Sequence, residues 1–194
     1  MALVLTDFSG NSNTLTNNAG ITESVSLPFS TNNLSSADLE SGSNQYFSAS
    51  DSASLSFTGD FSLELWVNLE SLPADGSFWG YVSRWQVGTN KTFSFKIGNT
   101  AGTYSLRLEV SADGSTSEVL SKNITTPSLS TWYHHAVTWT ASTSTAEFYV
   151  GGSSQGTSVG AITSLFDTTI GMRIGVEETT GFFGVESVLN STTI

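Results

Sequence analysis

The chain has 194 residues, with five Trp, twelve Phe, five Tyr and no Cys. A chain of this length buries roughly 70% of its unfolded surface unaided, and the missing thiols exclude a disulfide framework, thiol catalysis and Cys-type zinc sites. With Lys+Arg 6 against Asp+Glu 17, the net charge of −11 repels phosphate backbones, so nucleic acid and anionic membranes are not expected partners.

Charged residues make up only 12% of the chain, while Ser, Thr, Asn and 18 Gly fill the spaces between short apolar runs. That pattern reads as one all-β domain over residues 1–194 with hydroxyl-rich outer faces. The opening MALVLTDFSG lacks a basic n-region and has too short an apolar run for a signal peptide or a membrane span. The expectation is a chain that acts where it is made, leaves without a classical signal, or has lost a leader.

Ala2 to Phe8 predicts a first strand, and Ser9 to Asn18 a turn and loop, because Gly and Asn tolerate positive φ. Ile21 to Ser36 alternates weakly. Ala37 to Glu40 and Gln45 to Ala49 predict two short strands around Ser41-Gly42-Ser43-Asn44. The clearest element is Thr58 to Glu70. From Phe61, the residues Phe61, Leu63, Leu65, Val67 and Leu69 point one way, and Ser62, Glu64, Trp66, Asn68 and Glu70 the other. At ~3.4 Å per residue this strand runs roughly 30 Å, enough to cross the centre of a sheet.

Further strands are predicted over Phe78 to Trp85, Thr92 to Ile97, Tyr104 to Val110, Ser117 to Lys122, Thr131 to Trp139, Ala146 to Val150, Ile170 to Gly175 and Phe182 to Val188. Ala112-Asp113-Gly114-Ser115 and Val150-Gly151-Gly152-Ser153 read as hairpin turns. The rhythm is that of a sandwich or barrel.

The order of several short motifs resembles laminin G-like domains of the concanavalin A-like lectin/glucanase superfamily. Asp7-Phe8-Ser9-Gly10-Asn11 is similar to its opening D-x-S-G-N, and Tyr46-Phe47 with Asp51-Ser52-Ala53-Ser54-Leu55 to its Y-V-x-x-x-D-S-x-S-L. Phe61 to Asn68, Val82-Ser83-Arg84, Tyr104-Ser105-Leu106, Val110 to Gly114, Trp132-Tyr133-His134 with Ala136-Val137-Thr138, Phe148-Tyr149-Val150, Arg173-Ile174-Gly175 and Phe182-Phe183-Gly184 follow in the same order. Two departures stand out. His135 replaces a usual Val, and Gly151 replaces the Asp of the Y-V-D-G turn. The resemblance implies an antiparallel two-sheet jelly-roll sandwich, one sheet of which has a gently concave outer face.

Glucanases of that superfamily carry carboxylates on alternate strand residues, E-x-D-x-E. Here Glu64 and Glu70 share a face but lie about 20 Å apart, with Trp66 and Asn68 between them, so no retaining or inverting pair forms. No catalytic residue is expected. His134 and His135 are expected to face opposite ways, one in the core with a satisfied ring nitrogen and one at the surface. Trp79, Tyr81 and Trp85 are spaced to share one face of their strand, either as a sugar-stacking platform or as part of the core. Trp66, on the polar face of the central strand, is a separate ligand-binding candidate.

No cofactor is required by these residues. The resemblance suggests calcium at a rim, with Asp51, Asp60, Asp75, Asp113 and Asp167 as turn-borne candidates, although Asp also favours turns for its own sake.

The expected function is a non-catalytic surface recognition or structural module, on the exterior of a virus or phage particle. The rival is a carbohydrate-binding module of a secreted or cell-surface bacterial protein. Partners are then protein neighbours in an assembly, further copies of the chain included, or surface glycans.

Overall fold

The computed structural model describes residues 7, 9–28 and 36–178, together with the backbone of Ser187–Thr193. Among these residues, strands assemble into two seven-stranded sheets whose paired neighbours are all antiparallel. The first sheet runs β1 (Leu15–Asn18), β4 (Tyr46–Ala49), β13 (Met172–Ile174), β6 (Phe78–Gln86), β7 (Asn90–Thr100), β8 (Thr103–Val110), β9 (Glu118–Asn123). The second runs β12 (Ser153–Val159), β11 (Thr145–Val150), β10 (Trp132–Thr140), β5 (Phe61–Leu69), β14 (Ser187–Thr193), β3 (Ser36–Leu39), β2 (Thr22–Ser24). Neighbours such as β4–β13 and β5–β14 are far apart in sequence, the crossovers of a jelly-roll sandwich.

β5 sits at the middle of the second sheet, as its alternation predicts. Leu63, Leu65, Val67 and Leu69 are completely buried. They share one apolar cluster with Phe93, Phe95 and Ile97 of β7 and Leu106, Leu108 and Val110 of β8. Removing such a side chain to Ala costs about 2–5 kcal/mol through lost transfer energy and the cavity left behind.

Two strands fall where no strand is predicted. Leu15–Asn18 pairs with β4 at the sheet edge, although it lies in the expected Ser9–Asn18 loop. Its polar residues hide the alternation, and Asn18 Nδ2 anchors it by donating to Tyr46 O at 3.2 Å and Ser48 Oγ at 3.0 Å. Among the described residues, Ser153–Val159 pairs with β11 alone, and it carries almost no apolar face from which a period could be read. The strand expected over Ala2–Phe8 lies outside the described residues apart from Asp7, and the start of Phe182–Val188 lies outside them as well.

The motifs that carry the resemblance are joined to one another. Asp7 accepts from the Ser9 N–H at 2.7 Å and from the Asn13 backbone and side chain at 2.8 and 2.9 Å. Asn13 Oδ1 in turn accepts from Ser52 Oγ at 3.0 Å and Ser54 Oγ at 3.2 Å. Next door, Asp51 Oδ1 lies 2.6 Å from Nη2 of Arg84. The Arg84 guanidinium is fully buried and also donates to the carbonyls of Leu55, Thr168 and Ile170. One side chain of β6 thus ties together the loops on either side of it.

Candidate functional site

β6 departs from simple alternation. Gly80 is opposite Lys96 and Val82 opposite Phe95, which leaves Tyr81 as an extra residue in a bulge. A bulge of one residue reverses the face of everything after it. Tyr81 therefore joins the apolar cluster, with Trp79 packed against it, while Trp85 turns to the opposite surface beside Lys91 and Lys96. The expected stripe of Trp79, Tyr81 and Trp85 on one face is corrected accordingly.

The face that holds Trp85 is covered. Ser83 Oγ donates to the carbonyls of Val176 at 2.9 Å and Glu177 at 2.7 Å, drawing residues 176–177 across the sheet. Gly80 permits that approach, since a Cβ there would sit 2.4 Å from the Glu177 nitrogen. Beneath lies a buried ionic group. Lys96 Nζ pairs with Glu177 and, at 2.9 Å, with Glu109, which Arg107 Nη2 also meets at 2.6 Å. Trp85 is left 5% exposed and Tyr81 0%, so neither offers a ring face to a ligand.

Trp66 is different. It lies on the outer face of the second sheet, partly exposed, directly opposite His134 of β10. The two rings stand 5.2 Å apart at 44°. His134 Nε2 approaches Glu64 Oε2 at 3.2 Å.

Ala136 is opposite Glu64 on one side and Tyr149 on the other. Its small side chain lies on the same outer face as Glu64, Trp66, His134 and Tyr149. Beyond Tyr149, the carboxylate of Glu147 accepts from Ser154 Oγ at 2.6 Å. Hydrogen bonds from Ser154 and then Tyr149 hold the Glu147 carboxyl below its usual range, and the same Glu147 contact raises the Tyr149 phenol. At the other end, Ser26 Oγ receives hydrogen bonds from Trp132 Nε1 at 3.1 Å and Asn68 Nδ2 at 3.4 Å. The surface is thus an aromatic shelf beside polar groups in fixed orientations, the arrangement that lets a pyranose stack its C–H face and bond its hydroxyls.

Trp66 stood out from the sequence because it is aromatic on a polar face. His134 as its neighbour, and Tyr149 two strands away, did not. Their proximity follows from strand register, and no local signal carries it.

The five turn aspartates do not gather. Asp51 and Asp167 face Arg84, Asp60 accepts from the Ala141 N–H at 2.7 Å, and Asp75 accepts from the Ala101 N–H. Asp113 accepts from Ser115 and Thr116, and the Thr116 hydroxyl leads the contacts that hold its carboxyl well below the usual range. Among the described residues, Asp38, Glu40 and Glu70 bring three carboxylates within 4.8 Å of one another. No helix among those residues is long and apolar enough to cross a membrane.

The fold and motif order match a family model described as concanavalin A-like lectin/glucanases superfamily over residues 41–185. The chain belongs to that superfamily, as a laminin G-like domain. Comparison of the sequence with curated proteins gives no match.

Solved structures share the fold of this laminin G-like domain. The binding domain of Paraclostridial Mosquitocidal Protein 1 superposes with TM-score 0.68 at 16% identity, over 95% of this chain and 44% of that one. The enzymatically active domain of tailspike protein 2 from bacteriophage CBA120 gives 0.69 at 13% identity, over 99% and 29%. The binding domain of botulinum neurotoxin DC in complex with SialylT gives 0.64 at 10% identity, over 96% and 43%. The chain therefore spans less than half the length of each, and at these identities the likeness is one of fold.

Proposed function

We propose that this laminin G-like domain is a non-catalytic glycan-recognition module that works at a surface. The observation that carries the reading is the Trp66–His134–Glu64 arrangement on the outer face of β5 and β10. It combines an accessible indole with polar neighbours locked by their own contacts, which lowers the entropic cost of binding. The same geometry argues against hydrolysis. Glu64 is engaged by His134, the alternate strand positions hold Trp66 and Asn68, and Glu70 is too distant for a paired carboxylate mechanism. A glycan array probed with the wild-type protein and with Trp66→Ala tests it. One or a few defined glycans are expected to bind the former and not the latter.

The finer form of the proposal places the module on the exterior of a virion. The bacteriophage tailspike fold, which aligns with 99% of the chain, supports that setting. Toxin binding domains of the same fold support the rival, a binding module of a secreted or cell-surface bacterial protein. Immunogold labelling of purified particles is expected to find the protein on their outside; labelling confined to the bacterial surface would favour the rival.

A further inference from the structure

The six lysines and arginines of the chain are Arg84, Lys91, Lys96, Arg107, Lys122 and Arg173. They lie on β6, β7, β8, β9 and β13, all strands of the first sheet. The second sheet has none. Its β3, β5 and β11 instead carry Asp38, Glu64 and Glu147, each between buried neighbours and so turned outward. Of the two histidines, His135 faces the core, completely buried, with Nδ1 3.1 Å from the Tyr81 hydroxyl. His134 faces out, and its Nε2 is already 3.2 Å from Glu64. The face that holds Trp66 therefore presents carboxylates and no lysine or arginine.

Charge on this face reaches the shelf. Glu64 is two residues from Trp66, ~7 Å along the strand, within the Debye length of about 8 Å at physiological salt. A sugar carboxylate placed there meets repulsion and finds no cation to pair with.

Positive charge has a place to sit. Glu64 and Tyr149 flank Ala136 from β5 and β11, two strand spacings or ~10 Å apart. The Glu64 side chain is 45% exposed; Oε2 faces His134, and Oε1 has no partner among the described residues. Tyr149 is partly exposed, and its hydroxyl bonds the Glu147 carboxylate, which sets a second negative charge behind the ring. An ammonium offers three donors and no acceptor. Over Ala136 it would meet a carboxylate oxygen on one side and an aromatic ring on the other, both of which favour a cation.

We infer that the shelf selects glycans carrying a free amino group, the ammonium lying over Ala136 between Glu64 and Tyr149 while the sugar ring stacks on Trp66. The inference rests on the glycan-recognition reading and names the class of sugar that reading takes. An acetamido group or a hydroxyl has no charge to answer the carboxylates. A lysine side chain has the charge but no ring to lay on the indole.

The test is calorimetric titration of the full-length protein at about pH 7, where such amines are largely charged. The ligands are the β-1,4-linked glucosamine trimer, its N-acetylated counterpart and trilysine. The glucosamine trimer is expected to bind about tenfold tighter than the N-acetylated one, as one exposed ion pair and one cation–π contact together supply. Trilysine is expected not to bind. The preference is expected to shrink between about 20 and 500 mM salt, as screening sets in. Glu64→Gln combined with Glu147→Gln, checked for wild-type melting, is expected to bring the two trimers to equal affinity. Equal binding of both trimers by the wild type, no binding of the glucosamine trimer, tight binding of trilysine, or a preference that survives in the double variant overturns the inference. Equal trimers alongside array binding that is lost in Trp66→Ala would overturn this inference alone. A glucosamine trimer bound as tightly by Trp66→Ala as by the wild type would overturn the Trp66 reading with it.

Discussion

Trp66 and His134 are direct register partners, and their rings stand 5.2 Å apart because β5 and β10 pair through this point. Glu64, two residues before Trp66, closes on the far nitrogen of the same imidazole. The indole is thus held by a residue that is itself held.

Breaking the brace should loosen the shelf without removing it. Glu64→Gln is expected to weaken glycan binding by no more than about fivefold, since a partly exposed ionic contact such as Glu64–His134 is worth roughly 0–1 kcal/mol. It should leave the melting temperature nearly unchanged, since Glu64 is partly exposed. Neither protein is expected to release reducing sugar from β-glucans between about pH 4 and 9, the range in which carboxylate pairs work; turnover lost in Glu64→Gln would contradict the non-catalytic account.

Acid should destabilise the fold earlier than carboxylates alone would. Burial, followed by the neighbouring His134, pushes the folded His135 imidazole down to about 3 from its ordinary 6.5. Between those values the unfolded chain binds the proton and the folded chain does not, so stability falls as pH falls. The total is roughly 4 to 5 kcal/mol, of which about 2 kcal/mol is lost between pH 6.5 and 5. Thermal melts of His134→Gln, which isolates His135, should drop by several degrees over that interval, and His135→Phe in the same background should flatten the slope.

Arg84→Met should be among the most damaging single changes. It strands buried carbonyls of Leu55, Thr168 and Ile170 and frees Asp51 and Asp167. Asp51 and Asp167 are partly exposed and can be rehydrated, so the cost lies in the carbonyls, at about 1–3 kcal/mol for each buried acceptor left without a donor. Denaturant unfolding measures it, and Arg84→Lys should recover only part of the loss, because an ammonium cannot reach all these acceptors at once.

How far the sequence carried this picture depends on where each signal resides. Phe61 to Leu69 announced its strand and its buried face because one side is wholly apolar. Leu15–Asn18 and Ser153–Val159 did not, since edge strands with polar faces have no period to read. The family resemblance drew on Asp7, Asp51 and Arg84, which fasten the fold, and equally on the strands of Phe61 to Asn68, Trp132-Tyr133-His134 and Phe148-Tyr149-Val150, which form the proposed recognition face without marking it as one. Trp85 was misplaced by a bulge at Tyr81, a backbone event that alternation assumes away. His134 reached the site through the pairing of β10 with β5, whose partners His134 and Trp66 are far apart in the chain, and Tyr149 through that pairing and its own register opposite Ala136.

Metal removal bears on the same face from its other end. Glu64 and Glu147 are engaged by His134 and by Ser154, so binding beside Trp66 is expected to be unaffected by EDTA. Binding lost in EDTA and restored by calcium would bring Asp38, Glu40 and Glu70 into the recognition chemistry.

The most direct measurement is calorimetric titration of the best array glycan into the wild-type protein, Trp66→Ala and the double change Trp79→Ala with Trp85→Ala, each first checked for cooperative melting. Trp66→Ala should melt like the wild type and lose at least tenfold in affinity, about 1.4 kcal/mol for a stacking contact. The double change should lower the melting temperature through its packing positions and, where folded, bind as before. Wild-type affinity in folded Trp66→Ala, or affinity lost only in the folded double variant, would contradict the account.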